Sequence, residues 1–193
     1  MPCVFLRLQG CNMWTDGSKP SAICPFCDTP QLHRGKEMTL SEIRLEVFKL
    51  TPVGFPCGLV ISGGEPLLQL DERMIAEFTE LFEWIDVETN GSVPAKFVPP
   101  TYGNVSISCS PKTTSILVQH VDWFKILIPD KRHILAKISE AARRLYIPIY
   151  LQPTEVGGPD SAISKQNLEE AVNLCLTQGY SLSLQLHKLI GLK

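Results

Sequence analysis

The sequence predicts an α/β fold, an incomplete TIM-like barrel of about six parallel strands with few covering helices. Three observations lead there. Short β-rich runs alternate with helical patterns along the chain. The runs are nearly continuous in apolar residues, as strands covered on both faces are. No internal repeat, low-complexity stretch or long linker divides the 193 residues, so a single domain spanning 1–193 is expected. A flat doubly wound sheet satisfies the same pattern, but the small number of helices suits the incomplete barrel better.

The strands are "CVFLRL" (3–8), "CGLVIS" (57–62), "WIDVET" (84–89), "VSISCS" (105–110), "WFKILI" (123–128), "IPIYLQ" (147–152) and "LSLQL" (182–186). Helical patterns cover 39–50, 71–83, 131–145 and 164–178. The first opens with "TLSE", a T-x-x-E capping box, and the second has Asp71 as its N-cap. In parallel α/β folds ligands bind beyond the C-terminal ends of the strands. There the chain reads "QGCN", "GGEP", "TNGS", "SPK", "IPDK", "QPTE" and "HK", rich in Gly, Pro and polar residues as the rim of a site should be.

Composition narrows the function classes. Apolar residues are 44% and charged residues 20%, ordinary for a soluble globular protein. With 18 basic and 20 acidic residues the net charge is −2, which gives no support for a nucleic-acid partner or an acidic membrane surface. No apolar run reaches the length of a membrane span and no signal peptide opens the sequence, so a cytoplasmic protein is expected. The seven cysteines form an odd, uneven set that does not read as a disulfide framework. Cys57, Cys109 and Cys175 lie among apolar residues and read as buried core thiols.

The remaining cysteines point to chemistry. In "GCNMWTDGSKPSAICPFCDT" Cys11 is followed by Cys24 after a twelve-residue gap, and Cys24 by Cys27 after two residues. Thiolates suit zinc or iron–sulfur clusters. A structural zinc wants four ligands, and His33 is available as the fourth; on the cysteines alone the two metals stand even. The next motif, "LVISGGEPLLQ" (59–69), places two glycines, a glutamate and a proline directly after an apolar strand. Glycines there let a ligand approach the backbone closely, and Glu65 offers an acceptor for an ammonium group. Alone, GGEP is a tight strand-to-helix loop.

Together, the three-cysteine loop and GGEP resemble the radical S-adenosylmethionine superfamily. That resemblance implies a [4Fe–4S] cluster held by three thiolates, with the fourth iron open to the amino and carboxylate groups of S-adenosylmethionine. The superfamily's usual spacing is C-x3-C-x2-C, so the long first gap is a departure. With that gap, "CDT", "ETNG", "SCSPK", "LQP" and the closing "HKLIGL", the chain is similar to the 7-carboxy-7-deazaguanine synthase family from residue 3 to 193. The resemblance implies conversion of 6-carboxy-5,6,7,8-tetrahydropterin to 7-carboxy-7-deazaguanine with loss of ammonia, in queuosine and other 7-deazapurine biosynthesis. It also implies dependence on Mg²⁺, a reductase or flavodoxin-type electron donor, and a homodimer.

Carried over by position, Cys11, Cys24 and Cys27 are the cluster ligands, and Thr29 contacts Mg²⁺. Phe26, Cys27 and Asp28 form a shelf for S-adenosylmethionine, and Gly64 and Glu65 meet its methionine end. Ser110, Pro111 and Lys112, with Gln152, Pro153, Thr154 and Glu155, match the family's other cofactor-binding loops. For the substrate, Arg7 suits the pterin carboxylate through a bidentate guanidinium in a water-poor site. Ser62 matches a substrate-contacting position, and the carboxylate of Lys193 matches the terminal group that reaches the pterin. Two further departures stand out. Family members carry another strand and a Gln/Gly/Glu-rich loop ahead of the segment with which this sequence opens, and Leu186 stands where a polar residue is common. Two other readings compete. One is a different radical S-adenosylmethionine enzyme, such as a glycyl-radical activating enzyme. The other is a zinc-stabilised binding module using Cys11, Cys24, Cys27 and His33.

Overall fold

The computed structural model describes residues 1–15, 19–20, 23–25, 27, 35–158, 160–186 and 190. Along the chain run β1 (Cys3–Leu8), β2 (Trp14–Thr15), β3 (Lys19–Pro20), α1 (Leu40–Leu50), β4 (Gly58–Gly63), α2 (Glu72–Thr79), β5 (Trp84–Thr89), β6 (Val105–Cys109), β7 (Trp123–Ile128), α3 (Arg132–Arg144), β8 (Ile149–Pro153), α4 (Ala162–Gln178) and β9 (Ser181–Leu182). Every run predicted as a strand overlaps one, the last (182–186) only at Leu182. That strand is only two residues long, because after Ser183 donates to the Leu151 carbonyl the chain leaves the sheet and turns at Leu184–Leu186.

The helix starts follow local hydrogen bonding. The Thr39 hydroxyl accepts the Glu42 N–H at 3.3 Å, and the Glu42 carboxylate accepts the Thr39 N–H at 2.7 Å, closing the capping box. Asp71 accepts the Met74 N–H at 2.9 Å. Helix α2 stops at Thr79, earlier than its apolar pattern suggests. There the N–H groups of Leu81 and Phe82 both turn back onto the Phe78 carbonyl, and Glu83 donates to Cys57, steering the chain into β5. Helix α4 begins two residues earlier than predicted, where Ser161 caps it through Ser164, and ends on Gly179 in the left-handed conformation.

The chain divides into two compact units, one of Met1–Ser108 with Ser115–Val121, the other of Cys109–Thr114 with Asp122–Lys193. In the first the strands lie in the order β1-β4-β5-β6. β4 pairs in parallel with both β1 and β5, so Val4, Leu59 and Ile85 lie side by side, as do Ile61 and Val87. In-register partners point to the same face. These five are buried, together with Ile75 and Phe78 of α2. The opposite face carries Phe5, Arg7, Val60, Ser62, Asp86 and Glu88, a far more polar set. The first unit thus has an apolar side that holds it together and a more polar side opposite.

In the second unit β7, β8 and β9 are parallel neighbours, with α3 against β7 and α4 against β8 and β9. Ile126, Ile128, Ile134 and Leu151 have no exposed surface. Cys57 and Cys109 are buried core thiols as predicted, whereas Cys175 is half-buried. Among the described residues no helix is long and apolar enough to cross a membrane.

Leu59 lies at the centre of the apolar side with no exposed surface. Leu59→Ala should cost about 2–5 kcal/mol. The measurement is urea unfolding, with a lower midpoint at an unchanged slope.

Candidate functional site

The site grows from the junction of β1, β4 and β5 at their C-terminal ends. After β1 the chain passes Gly10 and Cys11, then folds the long gap between cysteines into a short antiparallel ribbon pairing Trp14 with Pro20 and Thr15 with Lys19. The ribbon reverses the chain, and Cys24 and Cys27 follow in a turn in which Cys27 donates to the Cys24 carbonyl at 3.3 Å.

The two glycines of GGEP face their own chain. A Cβ on Gly63 would meet the Leu8 carbonyl oxygen at 1.9 Å. One on Gly64 would meet the Gly10 carbonyl oxygen at 2.2 Å and the Cys11 Cβ at 2.8 Å. The close approach they allow is taken up by the cysteine loop, which the Gly64 N–H and the Glu65 N–H hold by donating to the Leu8 carbonyl at 3.1 Å and the Gly10 carbonyl at 2.8 Å.

Glu65 has no exposed surface. Its Oε1 accepts the Leu67 N–H at 3.0 Å and the Thr89 hydroxyl at 2.7 Å, and its Oε2 accepts the Asn90 N–H at 2.7 Å. The carboxylate offered by the sequence as an acceptor for an ammonium is thus engaged within the protein, joining the end of β4 to the end of β5. Thr89 and Asn90 are partners that the sequence reading quoted in "ETNG" without assigning a role. Asp86 and Glu88, the two carboxylates alternating in "WIDVET", lie on the same face as Arg7 and Ser62.

Cys11 is half-buried, and its sulfur accepts the Met13 N–H at 3.4 Å and lies 4.0 Å from the Asn90 amide nitrogen. Burial pushes its thiol up from the ordinary value; Glu65 and Cys27 push the same way, while the Met13 and Asn90 donors pull it down. A cationic centre would relieve both the burial and the charge repulsion. None of the three cysteines is in a disulfide. The soft donor set therefore fits a metal cluster in chemistry. The three thiols are not gathered at coordination distance: among the described residues no three His, Cys, Asp or Glu side chains form a metal-binding group. Phe26, Asp28, Thr29, His33 and Lys193 lie outside the described residues.

Arg7 corrects one expectation. It is the register partner of Ser62, so the two predicted substrate residues are adjacent on one face. Yet Arg7 is exposed, its guanidinium 5.1 Å from the centre of the Phe5 ring. Among the described residues β1 pairs with β4 alone.

The second unit holds the other predicted cofactor loops. Lys112 donates to the Ser110 carbonyl at 2.9 Å and hydroxyl at 2.8 Å, and Pro111 is buried between them. Gln152 ends β8. Pro153, Thr154 and Glu155 line a cavity of about 60 Å³ with Ser164, Leu168, Leu184 and Gln185, room for only a few waters. Thr154 is fixed by its hydroxyl to Asp130 and by its carbonyl to Asn167 at 2.7 Å. A larger cavity lies in the first unit between Thr79–Glu83 and Asn104, and none of the candidate residues lines it.

Gly64→Ala should displace the cysteine loop, because its new methyl meets backbone. The expected outcome is a lower Tm together with faster alkylation of Cys11 in the metal-free protein. Glu65→Gln should cost about 1–3 kcal/mol, since its amide end presents N–H groups to donors. Denaturant unfolding measures that loss.

No family model matches the chain. It is 34% identical to a 7-carboxy-7-deazaguanine synthase of Caulobacter vibrioides, over 98% of this chain and 89% of that protein. It is 32% identical to one of Nitratidesulfovibrio vulgaris, with the same coverage of 98% and 89%. Among solved structures it resembles QueE from Escherichia coli with a TM-score of 0.67 and 18% identity, over 96% of this chain and 86% of that one. The structural likeness shows the fold, the incomplete TIM-like α/β architecture of parallel strands that the sequence predicts. At such identity, sustained over almost its entire length, the chain belongs to the 7-carboxy-7-deazaguanine synthase family of enzymes.

Proposed function

We propose that this chain is a radical S-adenosylmethionine carbon–nitrogen lyase that converts 6-carboxy-5,6,7,8-tetrahydropterin to 7-carboxy-7-deazaguanine with loss of ammonia, in queuosine and 7-deazapurine biosynthesis. The observation that carries this reading is the seating of the cysteine loop on GGEP, with Gly64 packed against Gly10 and Cys11, in a chain of this family. Residues 1–193 are read as one radical S-adenosylmethionine core domain.

In this reading Cys11, Cys24 and Cys27 hold a [4Fe–4S] cluster, and Thr29 supplies a hydroxyl to Mg²⁺, which favours oxygen ligands. When bound, the cluster with S-adenosylmethionine supplies the electron and the hydrogen-abstracting chemistry. The chain's own residues bind and orient. Gly63 and Gly64 keep the cysteine loop against β4, and Glu65 locks that junction to β5. Phe26, Cys27, Asp28, the backbone at Gly64 and Glu65, Ser110–Lys112 and Gln152–Glu155 hold the cofactor. On the polar face of the first unit, Arg7 takes the pterin carboxylate and Ser62 lies beside it, with Lys193 at the chain end completing the substrate contacts. A reductase or flavodoxin-type protein provides electrons, and the working form is a cytoplasmic homodimer.

Anaerobic reconstitution should give brown protein with about four irons and matching sulfide per chain. Alanine at Cys11, Cys24 or Cys27 should abolish S-adenosylmethionine cleavage while far-UV circular dichroism stays unchanged. Colourless protein holding one zinc would overturn the reading. Thr29→Val should lose magnesium stimulation of turnover but keep cluster content, and Thr29→Ser should retain much of it.

Arg7 gives a graded test. An exposed guanidinium pairs more weakly than a desolvated one, so Arg7→Ala should raise KM for the carboxylated pterin by about ten-fold or less. Lysine should rescue poorly, keeping the charge but not the planar fork. A pterin without the carboxylate should bind wild type and mutant alike. Undiminished preference for the carboxylated pterin in Arg7→Ala would remove Arg7 from the substrate site.

A further inference from the structure

Asn90 is buried, 7% exposed, just past the end of β5, and its main-chain N–H and both ends of its side-chain amide are engaged. Its main-chain N–H goes to Glu65 at 2.7 Å. Its side-chain oxygen accepts the Ser92 N–H at 2.8 Å and the Ser92 hydroxyl at 2.6 Å. Its side-chain nitrogen donates to the Asn12 oxygen at 3.2 Å and lies 4.0 Å from the Cys11 sulfur. Asn12 then donates its own amide to the Ser92 oxygen at 2.9 Å. Asn90 gives to Asn12, Asn12 to Ser92 and Ser92 back to Asn90, a closed ring in which each bond runs the same way round. Such a cycle polarises its members cooperatively. It spans two loops some eighty residues apart in sequence and grips the residue next to Cys11.

The ring complements the backbone contacts on the other side. Gly10 is tied to Glu65 from β4, and Asn12 is tied to Asn90 and Ser92 from β5. Cys11 lies between the two attachments. An amide N–H directed at a ligating sulfur also withdraws electron density from it, one of the levers that sets the potential of an iron–sulfur centre.

We propose that Asn90 is the positioning residue for Cys11: its ring with Asn12 and Ser92 fixes the thiol before metal arrives, and its amide N–H raises the reduction potential of the cluster that Cys11 then holds. The second half rests on the iron–sulfur reading above; the first half does not.

The test therefore has two arms. In metal-free protein, alkylation of Cys11 followed by peptide mass spectrometry should be several-fold faster in Asn90→Ala, Ser92→Ala and Asn12→Ala than in wild type. Asn12 is exposed, so its substitution opens the ring without leaving a hole, and this arm survives even if Asn90→Ala folds poorly. In reconstituted protein, spectroelectrochemistry should place the midpoint potential of Asn90→Ala below wild type. Ser92→Ala, which keeps the Asn90 amide, should shift it less. Unchanged Cys11 labelling in all three variants overturns the positioning role. An unchanged potential in Asn90→Ala at full iron content, with only Tm lowered, overturns the electronic role. Wild type that takes up no iron overturns the cluster reading and the electronic role with it, while the labelling still decides the positioning role.

Discussion

The site depends on one buried carboxylate. Glu65 has no exposed surface, and an isolated ionised group there would cost far more than a domain can spare. It is held because three donors reach it: the Leu67 N–H from the turn that follows, the Thr89 hydroxyl and the Asn90 N–H from the end of β5. Removing one partner of such an arrangement is costly because the charge stays behind, and this asymmetry makes the junction specific. The strand ends cannot slide past one another without uncovering it. The Glu65 main-chain N–H extends the same junction to Gly10, and so to the loop that carries Cys11.

The glycines at 63 and 64 make that junction close enough to work. Both would drive a Cβ into the backbone of residues 8–10, so the motif reads first as a packing requirement between β4 and the cysteine loop. A functional role follows from the packing, because the backbone that presses on Cys11 is also the backbone at the rim of the strands. Structure and chemistry therefore place the same demand on these positions, and a substitution there disturbs thiol geometry before it disturbs any ligand.

How far the sequence could be read follows from the range of each interaction. Strand positions and helix caps were legible because alternation, capping boxes and N-cap residues act over a few residues; Thr39 with Glu42 and Asp71 with Met74 are within three positions. The end of α2 was not, because it is set by the Phe78 carbonyl taking two turn N–H groups and by Cys57 across the sheet. The cysteine loop and GGEP were recognised as a pair, but not the contacts that join them. Nothing local in "TNGS" announces that Asn90 meets Asn12, since that contact exists only once β1, β4 and β5 are aligned. For Arg7 the residue type and register with Ser62 were readable, whereas its exposure goes with β1 having β4 as its one strand neighbour among the described residues.

That exposure has a consequence for how the polar face works. Arg7 rests over the Phe5 ring two residues earlier on the same face, which orders the guanidinium without burying it. Ser62, its register partner, is buried, so polarity along this row runs from a dry hydroxyl to a wet cation. Asp86 and Glu88 continue the face one strand further, and the Ser106 hydroxyl lies 3.4 Å from Asp86. In the proposed reading, a ligand lying across the row would meet the buried Ser62 hydroxyl at one end and the exposed Arg7 guanidinium at the other. Binding that covers Arg7 strengthens its pairing by lowering the local dielectric. Affinity at this end would then grow with how completely a ligand excludes solvent, whereas orientation would be set at the buried end, where Ser62 adjoins the two glycines and the carboxylate that hold the cysteine loop.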